Sequence, residues 1–229
     1  MKYKPVAEET KAIKYKVIAI EDNPQSMASA ERCIRSAKSV GIEVEMVAAF
    51  TPKNNPLQHF KNNKLPLERF EKDAKQYSRF ENVLSCFLSH WRLWRMAYRK
   101  NQTTCILEHD AFFFDTVPEN ISFQYCVTIG KPSYGKFNSP TKLGVGPLVH
   151  KRYFGGAHAY IVNPEGAKLL FDKAFTHAGP ADVYLNLDNF PWLEEYYPWP
   201  VEARDTFTTI QKTEGCLAKH QYNENYAII

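Results

Sequence analysis

Apolar residues along the chain switch between short unbroken runs and stretches at helical spacing, a pattern that predicts an α/β fold. Lys16-Val-Ile-Ala-Ile20 is an apolar run closed by Glu21-Asp-Asn-Pro24, which predicts a buried strand entering a turn. From Ser26 onward Met27, Ala30, Cys33, Ile34, Ala37 and Val40 recur at helical spacing, and Gly41 supplies the C-terminal stop. Ile42-Glu-Val-Glu-Met-Val47 then alternates as a strand does. Strand, helix and strand at this spacing form the opening βαβ unit of an α/β sheet.

Residues 51–80 carry Pro52, Pro56 and Pro66 among dense polar groups, so a long irregular, mobile insertion with at most one short helix is expected there. Glu81 to Lys100 reads as a helix. Val83, Phe87, His90 and Trp94 form one stripe, with Leu84, Leu88, Trp91 and Tyr98 beside it. Thr103-Thr-Cys-Ile-Leu107 predicts a fully buried strand that runs straight into Glu108-His109-Asp110, and Tyr125–Ile129 predicts another. The segment 130–156 holds six of the ten glycines and reads as a loop. Ala157–Val162 returns as a strand. Asn163-Pro-Glu caps a helix whose Gly166-Ala-Lys-Leu-Leu-Phe171 is expected to pack its Leu and Phe on the sheet. With 229 residues, the chain 1–229 is expected to form a single domain, preceded by a polar tail over 1–14.

Composition narrows the class. A chain that is 44% hydrophobic and 24% charged is a globular mixture, which excludes disorder and fibrous repeats. No apolar run approaches the roughly 18 residues needed to span a bilayer, and the first ten residues lack the apolar stretch of a secretory signal. A cytoplasmic location is therefore expected, with membrane-surface association left open. The five cysteines are widely spaced and form no C-x-x-C, so they read as buried thiols rather than a disulfide framework or zinc ribbon. A net charge of +4 with interleaved acids does not call for nucleic acid as a partner.

Candidate chemistry concentrates after the buried strand. In an extended chain positions i and i+2 share a face, so Glu108 and Asp110 are expected to project together while His109 points the other way. Ligands of open α/β sheets bind at the carboxyl ends of strands, where this pair falls. Two carboxylates suit Mg²⁺ or Mn²⁺, although the same pair reads equally as solvated acids at a strand end. The loop from Lys131 to Arg152 carries five basic residues on a Gly/Pro scaffold, which reads either as a lid that orders over phosphates, with Lys151 and Arg152 the candidates, or as an ordinary solvated basic loop. Gly144-Val-Gly146-Pro is no dinucleotide fingerprint, since the third glycine is missing and Pro147 blocks the helix start. Phe190-Pro-Trp-Leu-Glu-Glu-Tyr-Tyr-Pro-Trp-Pro200 offers ring faces to a sugar, with Trp192 and Tyr196 the candidates, or else forms a satellite core. By position alone His90 reads as a satisfied core histidine.

Four separated blocks resemble glycosyltransferase family 25. They are Leu84-Ser-Cys-Phe-Leu-Ser-His-Trp-Arg-Leu-Trp94, Cys105-Ile-Leu-Glu-His-Asp-Ala111, Gly156-Ala-His-Ala-Tyr-Ile-Val-Asn-Pro-Glu-Gly-Ala-Lys-Leu-Leu170 and Pro180-Ala-Asp-Val-Tyr-Leu185. The resemblance spans roughly residues 16–212 and implies a GT-A-type, Rossmann-like fold with a mostly parallel mixed sheet flanked by helices. It further implies inverting transfer of a hexose from a nucleotide sugar, UDP-linked, to an acceptor hydroxyl on a glycan or other glycoconjugate. On that footing Glu108 and Asp110 hold the metal with His220 completing the shell. Ile20, Ser89 and His90 join Glu108, Lys151 and Arg152 at the donor, and Gly156 and His158 join Trp192 and Tyr196 at the acceptor. Asp182 is the general base, with Asp188, Glu194 and Glu195 nearby substitutes; Asp182 also suits a helix cap after Pro180. The chain departs from the family pattern at His109, which replaces an acid, at Val83, at Ser85, and in lacking the early arginine. Two rival readings keep the fold: a binding protein that has lost the reaction, and a transferase acting on a modified nucleic-acid base.

Overall fold

Val17 and Ala19 face one side of the first strand, β1 (Lys14–Ala19), while Ile18 faces the other, and all three are buried. This two-sided burial is the reason an unbroken apolar run forms a central strand. The structure, a computed structural model, describes residues 12–73, 75, 78–204, 207, 209–210 and 212. After β1, Asn23 accepts the Ser26 N–H through Oδ1 and Pro24 takes the first turn, starting helix α1 (Pro24–Ser39). Gly41, at φ +81°, turns the chain toward β2 (Val44–Ala48).

The long helix falls where the stripe predicts, as does the strand after it. Two short helices precede it, α2 (Pro56–Asn62) and α3 (Glu68–Asp73), then come α4 (Phe80–Arg99) and β3 (Thr104–Glu108). The chain continues through β4 (Ala111–Phe113), β5 (Cys126–Thr128), β6 (Gly144–Pro147), β7 (Ala159–Val162), α5 (Pro164–His177), α6 (Ala181–Tyr184), β8 (Glu194–Tyr197) and β9 (Val201–Ala203). Among the described residues seven strands make one mixed sheet in the order β2-β1-β3-β7-β5-β8-β6, and β4 pairs with β9 in a small antiparallel ribbon. β1 runs parallel to β2 and β3, whereas β7 is antiparallel to both its neighbours. A large mixed sheet flanked by helices agrees with the GT-A-type fold that the resemblance implies.

Core packs on both faces. On one, Ile18, Ile106 and Tyr160 meet Leu84, Phe87 and Trp94 of α4; on the other, Val17, Cys105, Leu107 and Ile161 meet Ala30, Cys33 and Ala37 of α1. Each fully buried large side chain stabilises the fold by roughly 1.5–3 kcal/mol. Cys33, Cys105 and Cys126 are buried free thiols, as expected, and Cys86 is half-buried. No helix among the described residues is long and apolar enough to cross a membrane.

Three sequence expectations need correction. Residues 51–80 are not an irregular insertion with at most one helix: a 3₁₀ turn (Pro52–Asn54), α2 and α3 occupy much of them. Pro52 and Pro56 sit at helix starts, where the missing N–H is harmless, and Phe60, Leu65 and Phe70 bury themselves beside Phe87. Within 130–156, β6 pairs with β8 at the sheet's outer edge, the one kind of strand that tolerates Pro147. In α5, Leu170 is buried but Phe171 stacks on Trp91 of α4 at 4.7 Å between ring centroids, rather than on the sheet.

Candidate functional site

β1 and β3 are hydrogen-bonded side by side, with β2 beyond β1 and β7 beyond β3. Chain connections leave them in opposite directions, which makes a crevice at their carboxyl ends. A cavity of about 1270 Å³ opens there. Ile20 borders it from the end of β1, and Glu108 from the end of β3, in register with Ile18. Tyr134, Tyr153 and Gly156 of the 130–156 segment and Asp182 of α6 border it too.

β3 ends at Glu108, and His109-Asp110 form a turn into β4. The strand alternation therefore stops before His109, and all three residues line the cavity, correcting the expectation that His109 points away. His109 is held at α1: its Nδ1 lies 2.9 Å from Ser26 Oγ, which also accepts the Ile20 N–H at 2.9 Å. Asp110 contributes its backbone carbonyl to Arg204 N at 2.8 Å and borders the cavity with the rest of the turn.

Glu108 is held from below. Its Oε1 lies 3.1 Å from His90 Nε2 and 3.8 Å from Cys86 Sγ, with 30% of the side chain exposed. Burial pushes its pKa up, but the hydrogen bond from His90 and the histidines gathered around the carboxyl, His158 and His109 among them, outweigh it and bring the group below its ordinary value. His90 Nδ1 is 2.8 Å from Tyr160 Oη, and Trp94 Nε1 donates to the same oxygen at 2.8 Å. Cys86, His90 and Glu108 are the one group of three potential metal-ligating side chains found close together among the described residues. Burial and the neighbouring carboxylates push the Cys86 thiol well above its usual range, which keeps it protonated. Ser89 accepts the Phe50 N–H at 2.8 Å and donates to Ser85 O at 2.9 Å, tying the exit of β2 to α4.

Asp182, also at the cavity, sits in the first turn of α6, where Pro180 rather than Asp182 is the cap residue. Tyr134 Oη donates to Asp182 Oδ2 at 2.6 Å, and the Val183 N–H donates to Oδ1 at 2.9 Å. Burial raises the Asp182 pKa and Glu108 adds to the rise, with the two hydrogen bonds opposing it. Lys151 Nζ donates to Tyr134 O and lies 4.5 Å from the Tyr134 ring centroid and 5.4 Å from that of Tyr153. Arg152 pairs with Asp188 at the exposed rim. Of the substitute bases, Glu195 is buried against His150 and Glu194 accepts the Gln124 N–H at 2.6 Å, while Asp188 borders the cavity.

The cavity thus brings together Ile20, Ser89, His90, Glu108, Asp110, Arg152, Gly156, His158 and Asp182. Lys151, Trp192 and Tyr196 do not border it. The Trp192 ring packs on Tyr125 and Phe190, and Tyr196 packs against the α1-side core. His158 lies between two glycines: a Cβ at Gly130 would meet its Nε2 at 2.4 Å, and one at Gly156 would meet its Nδ1 at 2.8 Å. His220 lies outside the described residues. Sequence reasoning missed Tyr134, Ser26 and Cys86. Tyr134 carries no local signal, since its partner is 48 positions away; Ser26, three residues after an N-cap, was visible only as a helix start.

A family model described as glycosyltransferase family 25 (LPS biosynthesis protein) matches residues 17–131, half of the chain. The matched span contains Ser89, His90, Glu108 and Asp110, and ends before Asp182. No curated protein matches the chain.

Proposed function

The chain belongs to glycosyltransferase family 25 and is a glycosyltransferase, and we propose that it moves a hexose from a UDP-linked donor, with inversion, to a hydroxyl of a glycan or other glycoconjugate. The observation that carries this reading is that one cavity at the β1/β3 crevice is bordered by Glu108, Asp110 and Asp182 together. Inverting transfer is a direct displacement. It needs a base at the acceptor hydroxyl and stabilisation of the departing diphosphate, and no nucleophile from the enzyme.

Asp182 suits the base. Its raised pKa makes it a stronger proton acceptor than an exposed aspartate, and Tyr134 and the Val183 N–H fix both its oxygens in direction. Glu108 and Asp110 are hard oxygen donors bordering the cavity, and Glu108 makes its hydrogen bonds through Oε1, so the donor set fits Mn²⁺ or Mg²⁺. When bound, such an ion supplies electrophilic stabilisation to a leaving nucleotide diphosphate. His109, engaged with Ser26, leaves that task to the two flanking acids. Arg152, paired with Asp188, and Lys53, paired with Asp22, are the cations at the cavity rim that donor phosphates would draw from their carboxylate partners.

The test is a panel of nucleotide hexoses read by thermal shift with and without Mn²⁺, followed by product analysis. Stabilisation by a UDP-hexose, slow donor hydrolysis, and an Asp182→Asn enzyme that binds donor but transfers roughly 10²–10⁴-fold more slowly are expected. Binding without any turnover, or unchanged turnover in Asp182→Asn, overturns the proposal.

A further inference from the structure

We propose that Trp94, Tyr160 and His90 act as positioning residues: Trp94 and Tyr160 hold His90 with its proton on Nε2 and a lone pair on Nδ1, and His90 in turn fixes the Glu108 carboxylate at the cavity. The inference rests on the reading that Glu108 serves the donor's divalent ion.

The assignment follows from counting protons. An indole N–H only donates, so Trp94 Nε1, 2.8 Å from Tyr160 Oη, uses that oxygen as an acceptor. Tyr160 then has one O–H to give, and its other partner is His90 Nδ1 at 2.8 Å, which must present a lone pair. A neutral imidazole bare at Nδ1 carries its proton on Nε2, and Nε2 faces Glu108 Oε1 at 3.1 Å. Every donor in the chain Trp94, Tyr160, His90, Glu108 then has an acceptor. Moving the proton to Nδ1 aims two donors at Tyr160 Oη, leaves the phenol proton without an acceptor, and sets a bare Nε2 against a carboxylate. An imidazolium leaves the phenol proton without an acceptor too. His90, Tyr160 and Trp94 are each 0% exposed, so water supplies no substitute.

The relay is anchored in the core. Trp94 stacks on Tyr184 at 5.3 Å and meets Phe87 edge-on, and His90 stacks on Tyr160 with the rings 16° from parallel. With His90 and Cys86 both at Oε1, no hydrogen bond among the described residues reaches Oε2. His90 therefore acts on the donor through Glu108, and both its ring nitrogens are committed within the protein.

Nitrogen-15 NMR of the histidine rings in the metal-free protein at neutral pH reads the tautomer directly. The inference expects His90 protonated on Nε2 and bare on Nδ1; a proton on Nδ1, alone or together with Nε2, overturns it. Mn²⁺ binding in the presence of UDP, followed by electron paramagnetic resonance, reads the consequence. Tyr160→Phe and His90→Leu are expected to weaken it about 10-fold or more, and His90→Gln, which keeps an N–H near Glu108, to recover most of the loss. Wild-type affinity in Tyr160→Phe and His90→Leu refutes the positioning role. Should Tyr160→Phe fail to fold, the comparison of His90→Leu with His90→Gln decides. Wild-type affinity in Glu108→Gln refutes instead the assignment of Glu108 to the ion, and with it the relay's purpose.

Discussion

Glu195→Gln changes one atom of a buried pair that leaves no room for an extra proton. Glu195 and His150 have side chains only 1% exposed. Glu195 Oε1 accepts the N–H groups of Val149 at 2.5 Å and His150 at 2.9 Å, and Oε2 lies 2.9 Å from His150 Nδ1. His150 Nε2 accepts the Gly155 N–H at 3.2 Å, so the ring proton sits on Nδ1 and Glu195 must accept at both oxygens. A glutamine amide faces a donor whichever way it is turned, and flipping the His150 tautomer moves the conflict to Gly155. Losing a charge-assisted bond and orphaning one buried donor costs about 2–5 kcal/mol, which at this size lowers Tm by roughly 5–15 °C. Urea unfolding followed by circular dichroism measures it, with the slope unchanged. Burial alone would raise the Glu195 pKa, but His150 and the two backbone amides outweigh it and hold it below the ordinary value. The stabilisation is therefore full above the free-glutamate value of about 4.3 and is lost as pH falls through the lower folded value, so the gap between wild type and variant narrows in acid. A loss under about 1 kcal/mol at neutral pH, or a gap that widens on acidification, refutes the reasoning. The pair also clamps the segment that brings Arg152, Tyr153 and Gly156 to the cavity, so the variant's donor KM is expected to rise.

Gly166→Ala should destabilise by about 1–3 kcal/mol in urea despite alanine's better helix propensity. The new Cβ would lie 2.3 Å from the Tyr125 carbonyl oxygen, a backbone atom that cannot swing aside; equal or higher stability contradicts this. Tyr134→Phe removes the 2.6 Å hydrogen bond that favours the charged form of Asp182. The acidic limb of the kcat/KM profile should then move to higher pH, and a limb that stays put or moves down argues against Asp182 as the base.

β1, β2, β3, β5 and β7, with α1, α4 and the start of α5, were legible because each is a local pattern: an apolar run or alternation, a helical stripe, an Asn-Pro-Glu start; β6 and β8, short strands within Gly- and Pro-rich sequence, were not. α2 and α3 were hidden because prolines were read as breakers when Pro52 and Pro56 occupy first turns, and because Phe60 and Phe70 have their partners on α4. At the site, Glu108 and Asp110 were visible as acids after a buried strand. The direction of His109 was not, since it depends on where β3 stops and on Ser26, 83 positions away. Trp192 and Tyr196 advertised ring faces, yet aromatic content does not distinguish a sugar platform from packing on Tyr125 and Phe190. Tyr134, the partner of Asp182, lies in a loop where glycines and lysines are the local signal and a tyrosine is none.

Release of UDP from a UDP-hexose, followed across a Mn²⁺ titration in wild type and Asp110→Asn, bears most directly on the role given to the two acids. Saturable, Mn²⁺-dependent release in the wild type, falling by roughly 10²-fold or more in Asp110→Asn, is the predicted result. Release that persists in excess chelator, or proceeds at the wild-type rate in Asp110→Asn, contradicts it.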